Sequence, residues 1–102
     1  MWLDNGVHVS KESVKTKDSV DVTYAGLLRN SGASGVLLHC GFDGWREPSD
    51  IWMTRDVDGS FRTSVKADAK SEINMCFKDT ANNWDNNNGR NWSYEIHGDD
   101  WH

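Results

Sequence analysis

The sequence predicts an all-β fold, an immunoglobulin-like antiparallel β-sandwich in a single domain. Three observations support this prediction: apolar residues recur with period two in short segments, no window carries a helical stripe, and turn residues separate the segments at short intervals. The 102 residues are enough for one domain with a modest core, and they show neither an internal repeat nor a linker. We therefore treat residues 1–102 as one domain.

The first half of the chain contains three predicted strands. Val7 and Val9 flank His8 in a short first strand, and Val20 begins an alternating segment that we expect to continue through Leu28. A polar turn at 30–34 leads into the third strand. In that strand one parity holds Val36, Leu38 and Cys40, and the other holds Leu37 and His39. Since consecutive side chains of a strand point to opposite faces, the first set is predicted to face the core.

The third strand is predicted to end at Gly41-Phe42-Asp43-Gly44, so Trp45 is expected on the loop that follows. A short strand at 51–54 follows, and the turn Asp56-Val57-Asp58-Gly59 joins it to the next strand as a hairpin. Alternating segments at 61–66, 72–78 and 92–96 complete the predicted sandwich. In the last of these, Trp92 repeats the parity of Tyr94 and Ile96, so we expect it in the core.

A loop rich in asparagine separates the last two strands. It runs from Asp79 to Trp92 and surrounds Trp84 with six asparagines, namely Asn82, Asn83, Asn86, Asn87, Asn88 and Asn91. Asparagine and glycine tolerate turn conformations, so this run is expected to be a loop and not a strand or helix. Each amide offers two donors and an acceptor, which suits a polyhydroxylated ligand. The alternative is a solvated loop that one buried tryptophan pins in place.

Composition narrows the classes of partner. Six tryptophans are more large rings than a core of this size can absorb, so some are expected at a binding surface. The net charge of −5 argues against nucleic acid as a partner, because binding to phosphates needs clustered Lys and Arg. No apolar run reaches the length of about 18 residues that a membrane span needs, which argues against a membrane partner.

The two cysteines are predicted to be free thiols. Cys40 shares the inward parity of its strand, whereas Cys76 falls opposite Met75 and Phe77 and should point outward. Side chains on opposite faces cannot reach disulfide geometry. Free thiols fit a reducing compartment, and the N-terminus lacks the pattern of a signal peptide, so the chain as given is expected in the cytoplasm. A module excised from a longer secreted enzyme would instead be extracellular.

Several segments, taken in order, carry a family resemblance. They are Val-Leu-Leu-His39-Cys-Gly-Phe-Asp-Gly-Trp45, Ile-Trp-Met-Thr at 51–54, Asp58-Gly-Ser-Phe, Asn-Met-Cys-Phe77-Lys-Asp79 and Asn82-Asn-Trp84-Asp-Asn-Asn. Together they resemble the starch-binding modules of family 25 and the related modules of plant starch synthases. The resemblance covers about Val20 to Ile96, and its most specific element is the Asn-rich segment after Phe-Lys-Asp.

The resemblance implies a ligand and a site. Members of that family are immunoglobulin-like sandwiches that bind α-1,4-glucan through a histidine at a strand end and two loop tryptophans. By this resemblance His39, Trp45 and Trp84 bind the sugar, although the spacing from His39 to Trp45 is shorter than in the family. Asn83 and Asn87 flank Trp84 and are further candidates. Trp52 lies outside the matched site, and Trp2 and Trp101 receive no role.

The physical chemistry of a glucan is consistent with these residues. An indole can take the apolar face of a glucose ring, while amides and an imidazole bind the hydroxyls around its edge. An α-1,4 chain is curved, so two indoles tilted to each other can each receive one sugar. By the same resemblance the expected partner is an α-1,4-glucan, with a glucan-active enzyme as a further candidate, and the sequence does not show whether such an enzyme exists.

Other functions receive less support. Asn83, Asp85 and Asn87 resemble the start of a calcium loop, but Asn88 stands where that loop needs glycine and Tyr94 where it needs glutamate. An EF-hand is therefore excluded and no metal ligand is assigned, whereas an irregular cation site on the acidic loop stays open. No cofactor motif is present, and the shallow surface of a small sandwich offers little to exclude water, so we expect no enzyme activity. The remaining alternative is a protein-interaction sandwich whose exposed tryptophans contact a partner protein.

Overall fold

The computed structural model describes residues 3, 5–10, 15, 17–87 and 89–96 of the chain. Within these residues nine strands and one short helix follow one another: β1 (Val7–Val9), β2 (Ser19–Tyr24), α1 (Leu27–Asn30), β3 (Val36–Phe42), β4 (Arg46–Trp52), β5 (Thr54–Arg55), β6 (Phe61–Lys66), β7 (Glu72–Asp79), β8 (Trp84–Asp85) and β9 (Trp92–Glu95). Trp2 and Trp101 lie outside the described residues. In the described part, no helix has the length and apolar character to cross a membrane.

The strands form two antiparallel sheets, which confirms the predicted all-β sandwich. One sheet has the order β1-β2-β6-β5, and the other has the order β4-β3-β7-β8, with β9 also paired to β7. The chain passes from the second sheet to the first at Met53, a buried residue between β4 and β5. β4 is an edge strand, and most of its residues are exposed.

The core follows the parities that the sequence predicts. The inward residues of β3 and β7 are buried, and they are Val36, Leu38, Cys40, Ile73, Met75 and Phe77. Trp92 is only 2% exposed, and its ring meets Phe77 edge-on with 5.3 Å between ring centroids. Since Tyr94 and Ile96 are also buried, the prediction that Trp92 belongs to the core is confirmed.

The two cysteines are free, as predicted. Both are buried, but they lie on opposite faces of the β3–β7 pair. Cys40 belongs to the core and is in register with Met75, whereas Cys76 is in register with His39 on the outer face.

Some predicted element bounds are wrong, and each has a physical reason. The second strand does not continue through Leu28, because the chain turns into α1, where the Leu28 N–H donates to the Tyr24 hydroxyl at 2.9 Å. The predicted strand 51–54 is divided between two sheets at Met53, and β4 begins earlier, at Arg46. Residues 46–50 are exposed, and all but Pro48 are polar, so they show no apolar alternation.

Candidate functional site

The site lies on the outer face of the β4-β3-β7 sheet, and His39 is at its centre. His39 sits in β3 between two cross-strand neighbours, Asp50 of β4 and Cys76 of β7. Because the inner face of this sheet is filled by the core, the outer face is free to carry polar and aromatic side chains. The loops after β3 and β7 bring two indoles over this face.

Trp45 reaches His39 because its loop folds back over Gly41. A Cβ added at Gly41 would lie 2.8 Å from the Trp45 Cα, so only glycine allows this approach. Trp45 itself has a φ of 68°, and the register of β3 and β4 shifts between Cys40 and Phe42. The half-buried indole stacks on the His39 ring with 5.5 Å between centroids and 25° between planes.

Two polar side chains fix the Trp45 loop. The buried Asn74 of β7 accepts from the backbone N–H of Gly44 at 3.0 Å and of Trp45 at 2.8 Å. The carboxylate of Asp43 accepts from the N–H of Lys70 at 3.0 Å and of Ser71 at 2.7 Å. Those backbone donors hold the pKa of Asp43 well below its usual range. The loop is thus tied to the sheet and to the segment that enters β7.

The Asn-rich loop is anchored by two buried carboxylates. Asp79, at the end of β7, accepts from the backbone N–H groups of Ala81 at 2.9 Å and Asn83 at 2.8 Å. Asp85 accepts from the hydroxyl of Tyr24 at 2.6 Å, inside the core. The hydrogen bonds that Asn83 donates are the main reason that the pKa of Asp79 is lowered, so this carboxyl group is ionised at neutral pH.

Alternation within β8 explains why Trp84 is presented outward. Asp85 is in register with Phe77 and points inward, so its neighbour Trp84, in register with Lys78, points outward. The loop that we expected to lack a strand therefore contains a two-residue one. Trp84 is 47% exposed, and its ring stands at 88° to that of His39 with 5.4 Å between centroids. The ammonium of Lys78 lies 5.2 Å from the Trp84 ring centroid, within cation–π range.

Asp50 holds both His39 and Lys78. One oxygen accepts from His39 Nδ1 at 2.6 Å, and the other pairs with Lys78 Nζ at 2.9 Å. These two contacts lower the pKa of Asp50, so it is an ionised acceptor at neutral pH. An ionised carboxylate has no proton to give, so the Nδ1 of His39 carries the proton and Nε2 is left for a ligand.

Six residues line the shallow pocket that results: His39, Trp45, Cys76, Trp84, Asn86 and Asn91. Burial raises the pKa of the Cys76 thiol to about 11, so this residue is a protonated, apolar part of the pocket floor.

Part of this surface was not predicted. Cys76 could have been found by its outward parity, whereas nothing in the sequence separates Asn86 and Asn91 from the other amides.

The structure brings His39, Trp45 and Trp84 together, and it places the two candidate asparagines elsewhere. The amide of Asn83 donates to the Asp79 carboxylate at 3.0 Å. Asn87 is buried, accepts from the Asn5 amide, and donates to the backbone carbonyl of Asn91 at 3.2 Å. Both amides therefore shape the loop, and neither is among the residues that line the pocket.

Comparisons with known proteins point to carbohydrate. A family model described as a starch/carbohydrate-binding module (family 53) matches residues 20–97. The chain is also similar to an α-amylase of Clostridium acetobutylicum, with 37% identity over 76 residues that cover 74% of the chain and 10% of that protein. The chain thus spans about a tenth of the relative's length. No solved structure gives a significant match. The expected similarity to starch-binding modules is confirmed, whereas the expected family 25 is not.

Proposed function

Because this chain belongs to the starch/carbohydrate-binding modules of family 53, we propose that it binds α-1,4-glucan without cleaving it. The ligand is starch, glycogen or a malto-oligosaccharide, and the site is the pocket of His39, Trp45 and Trp84. A second part of the proposal is that the module serves a glucan-active enzyme, which it holds on the polysaccharide. The α-amylase relative supports that part, since a similar segment occupies about a tenth of it.

The observation that carries the proposal is the relative tilt of the two indoles. Trp45 is nearly parallel to the His39 ring and Trp84 is nearly perpendicular to it, so the two indole planes are steeply inclined to each other. A curved α-1,4 chain turns its successive sugar faces in different directions, and two inclined rings can each receive one of them. A straight β-1,4 chain would need coplanar rings.

Polar groups around the rings complete the proposed site. His39, Asn86 and Asn91 line the pocket, and we expect the Nε2 atom of His39 and the two side-chain amides to bond to sugar hydroxyls. By analogy with stacking on nucleic-acid bases, each ring contributes about 1–3 kcal/mol of binding free energy. Together with a few hydrogen bonds of about 1 kcal/mol each, this corresponds to a dissociation constant of about micromolar to millimolar.

The carboxyl groups near the site support binding without catalysis. A glycosidase needs one carboxyl group that stays protonated near neutral pH, which requires a raised pKa. The pKa values of Asp43, Asp50 and Asp79 are all lowered, and each carboxylate is occupied by hydrogen bonds within the protein. These three carboxylates are ionised hydrogen-bond acceptors. Such groups can hold the loops in place, but they cannot act as an acid catalyst.

Titration of the isolated chain with maltoheptaose tests the proposal. Stacking of a sugar on Trp45 and Trp84 should change the tryptophan fluorescence in a saturable way, and calorimetry should report the same dissociation constant. Cellohexaose, which has β-1,4 links, is the matched control ligand and should give no saturable change. Absence of both heat and fluorescence change with maltoheptaose would overturn the proposed function and favour a protein partner for the exposed rings.

A further inference from the structure

An indole lies against a glycine at each end of β3 on the outer face of the sheet. A Cβ added at Gly41 would lie 3.1 Å from Cε3 of Trp45, and one added at Gly35 would lie 3.5 Å from Cζ3 of Trp52. Gly35, His39 and Gly41 have the same parity, so both indoles belong to the face that carries His39. Trp45 is already part of the proposed sugar site, and Trp52 is not.

Three further observations place the Trp52 side chain on this face. Its neighbour Met53 is buried, and its neighbour Ile51 packs against the core, so Trp52 must point to the opposite side. Trp52 is in register with Leu37, and Leu37 is in register with Lys78. Trp52 is 64% exposed although part of its ring rests near Gly35.

Trp52 and Trp84 lie in one cross-strand row of the same sheet. The row runs from Trp52 through Leu37 and Lys78 to Trp84, one residue from each of β4, β3, β7 and β8. Four neighbouring strands span about 14 Å, and the distance along β3 from Gly35 to Gly41 is about 20 Å. These dimensions exceed a single sugar, so Trp52 lies too far from Trp45 and Trp84 to share the same glucose unit with them.

The surface between the three indoles is compatible with a sugar chain. Leu37 is partly buried and apolar, and the charges of Asp50 and Lys78 neutralise each other at 2.9 Å. A neutral ligand that lies across this surface therefore meets no unpaired charge from this pair.

We propose that Trp52 is a third aromatic platform, which receives a glucose unit of a long α-1,4-glucan chain whose other units occupy the Trp45 and Trp84 rings. This inference rests on the proposed function of the His39 pocket and extends it along β3. A short oligosaccharide fills the pocket only, whereas a long one reaches Trp52 as well. The His39 pocket and Trp52 bind the same class of ligand, and Trp52 adds a preference for longer chains.

The test compares a short and a long ligand on matched variants. Calorimetric titrations with maltotriose and with a maltodextrin of about ten glucose units are run on wild type, Trp52→Ala and Leu27→Ala. Leu27 is 59% exposed on α1, is not among the residues that line the His39 pocket, and serves as the control for loss of an exposed apolar side chain. Trp52→Phe keeps a flat ring and tests for rescue, and thermal melts check that each variant is folded.

The expected result is a loss that depends on ligand length. Trp52→Ala should weaken binding of the long ligand about five- to tenfold, as removal of one stacking partner predicts, and leave maltotriose unchanged. Trp52→Phe should restore most of the affinity, and Leu27→Ala should match wild type with both ligands. Equal affinity of wild type and Trp52→Ala for the long ligand, while both bind maltotriose, overturns the extension and leaves the proposed pocket standing. If wild type binds neither ligand, the proposed function fails and the extension fails with it.

Discussion

The two faces of β3 and β7 differ in composition and in what holds them together. The inner face is apolar and fully buried, with Leu38 and Phe77 packed among the core residues. The outer face carries His39 and Lys78, which are fixed by the Asp50 carboxylate and by nearby rings. Alternate residues of the same strands thus form the core and the proposed binding surface. We therefore expect that mutations at neighbouring positions can change stability and binding separately.

The largest expected effect is on the inner face. Trp92→Ala should lower the free energy of unfolding by about 3–5 kcal/mol, because it leaves a cavity beside Phe77 that the core cannot refill. Urea unfolding followed by circular dichroism measures this loss. Trp84→Ala is the matched control, since it removes an indole from the exposed face and should change the unfolding free energy by about 0.5 kcal/mol or less. Similar unfolding curves for the two variants would show that the faces are not separable in this way.

The next effect is on binding. Trp84→Ala and Trp45→Ala should each lose more than about 1 kcal/mol of binding free energy for maltoheptaose, because each removes a stacking surface. We expect the larger loss for Trp84, whose ring is the more exposed and whose loop also provides Asn86 and Asn91. Calorimetric titration gives the two affinities. Both variants should melt within a few degrees of wild type.

Two outcomes would contradict this assignment. Unchanged affinity in the Trp84 variant would remove that ring from the sugar site. A collapsed fold in either variant would mean that the outer face also contributes to stability, and the comparison with Trp92 would then fail.

The smallest predicted effect concerns pH and the loop that carries Trp45. The folded-state pKa of Asp43 is lowered by backbone donors, so the stability that Asp43 contributes is fully present above its unfolded value of about 3.9 and is lost as the pH falls below it. Asp43→Asn should therefore melt a few degrees lower than wild type at about pH 7, and the gap should narrow at about pH 3. Thermal melts across this range test the sign. Curves that stay parallel in acid would show that the carboxylate does not anchor the loop.

Most of the sandwich could be predicted because one face of each central strand is buried. That burial imposes strict alternation, so the inward parity of Val36 and the outward parities of His39 and Cys76 are all readable from the sequence. His39, Trp45 and Trp84 were predicted as site residues by a different signal, since the segments that carry the family resemblance include them. The structure then adds their mutual geometry, which no sequence pattern contains.

The start of β4 and the directions of the loop amides could not be predicted, because no pattern of buried residues marks them. Residues 46–50 form an edge strand exposed to solvent, so their order carries no apolar period. Within the Asn-rich loop the amides look alike in sequence, yet Asn87 turns inward and Asn86 lines the pocket. The backbone is left-handed at Asn82, Asn87 and Asn91, and asparagine tolerates that conformation at any of the six positions, so the sequence does not show where it occurs.

The irregular edge strand has a consequence for how this protein behaves beside other protein chains. An exposed strand edge offers unpaired N–H and C=O groups on which another chain can add a strand and start aggregation. β4 carries Pro48, which has no N–H to donate, and Glu47 with a φ of 50°, which interrupts the extended backbone. The register shift opposite Phe42 bends the same edge further. These features disfavour edge-to-edge pairing at β4, the strand that borders the proposed ligand surface, so we expect little association between copies of the protein at that edge.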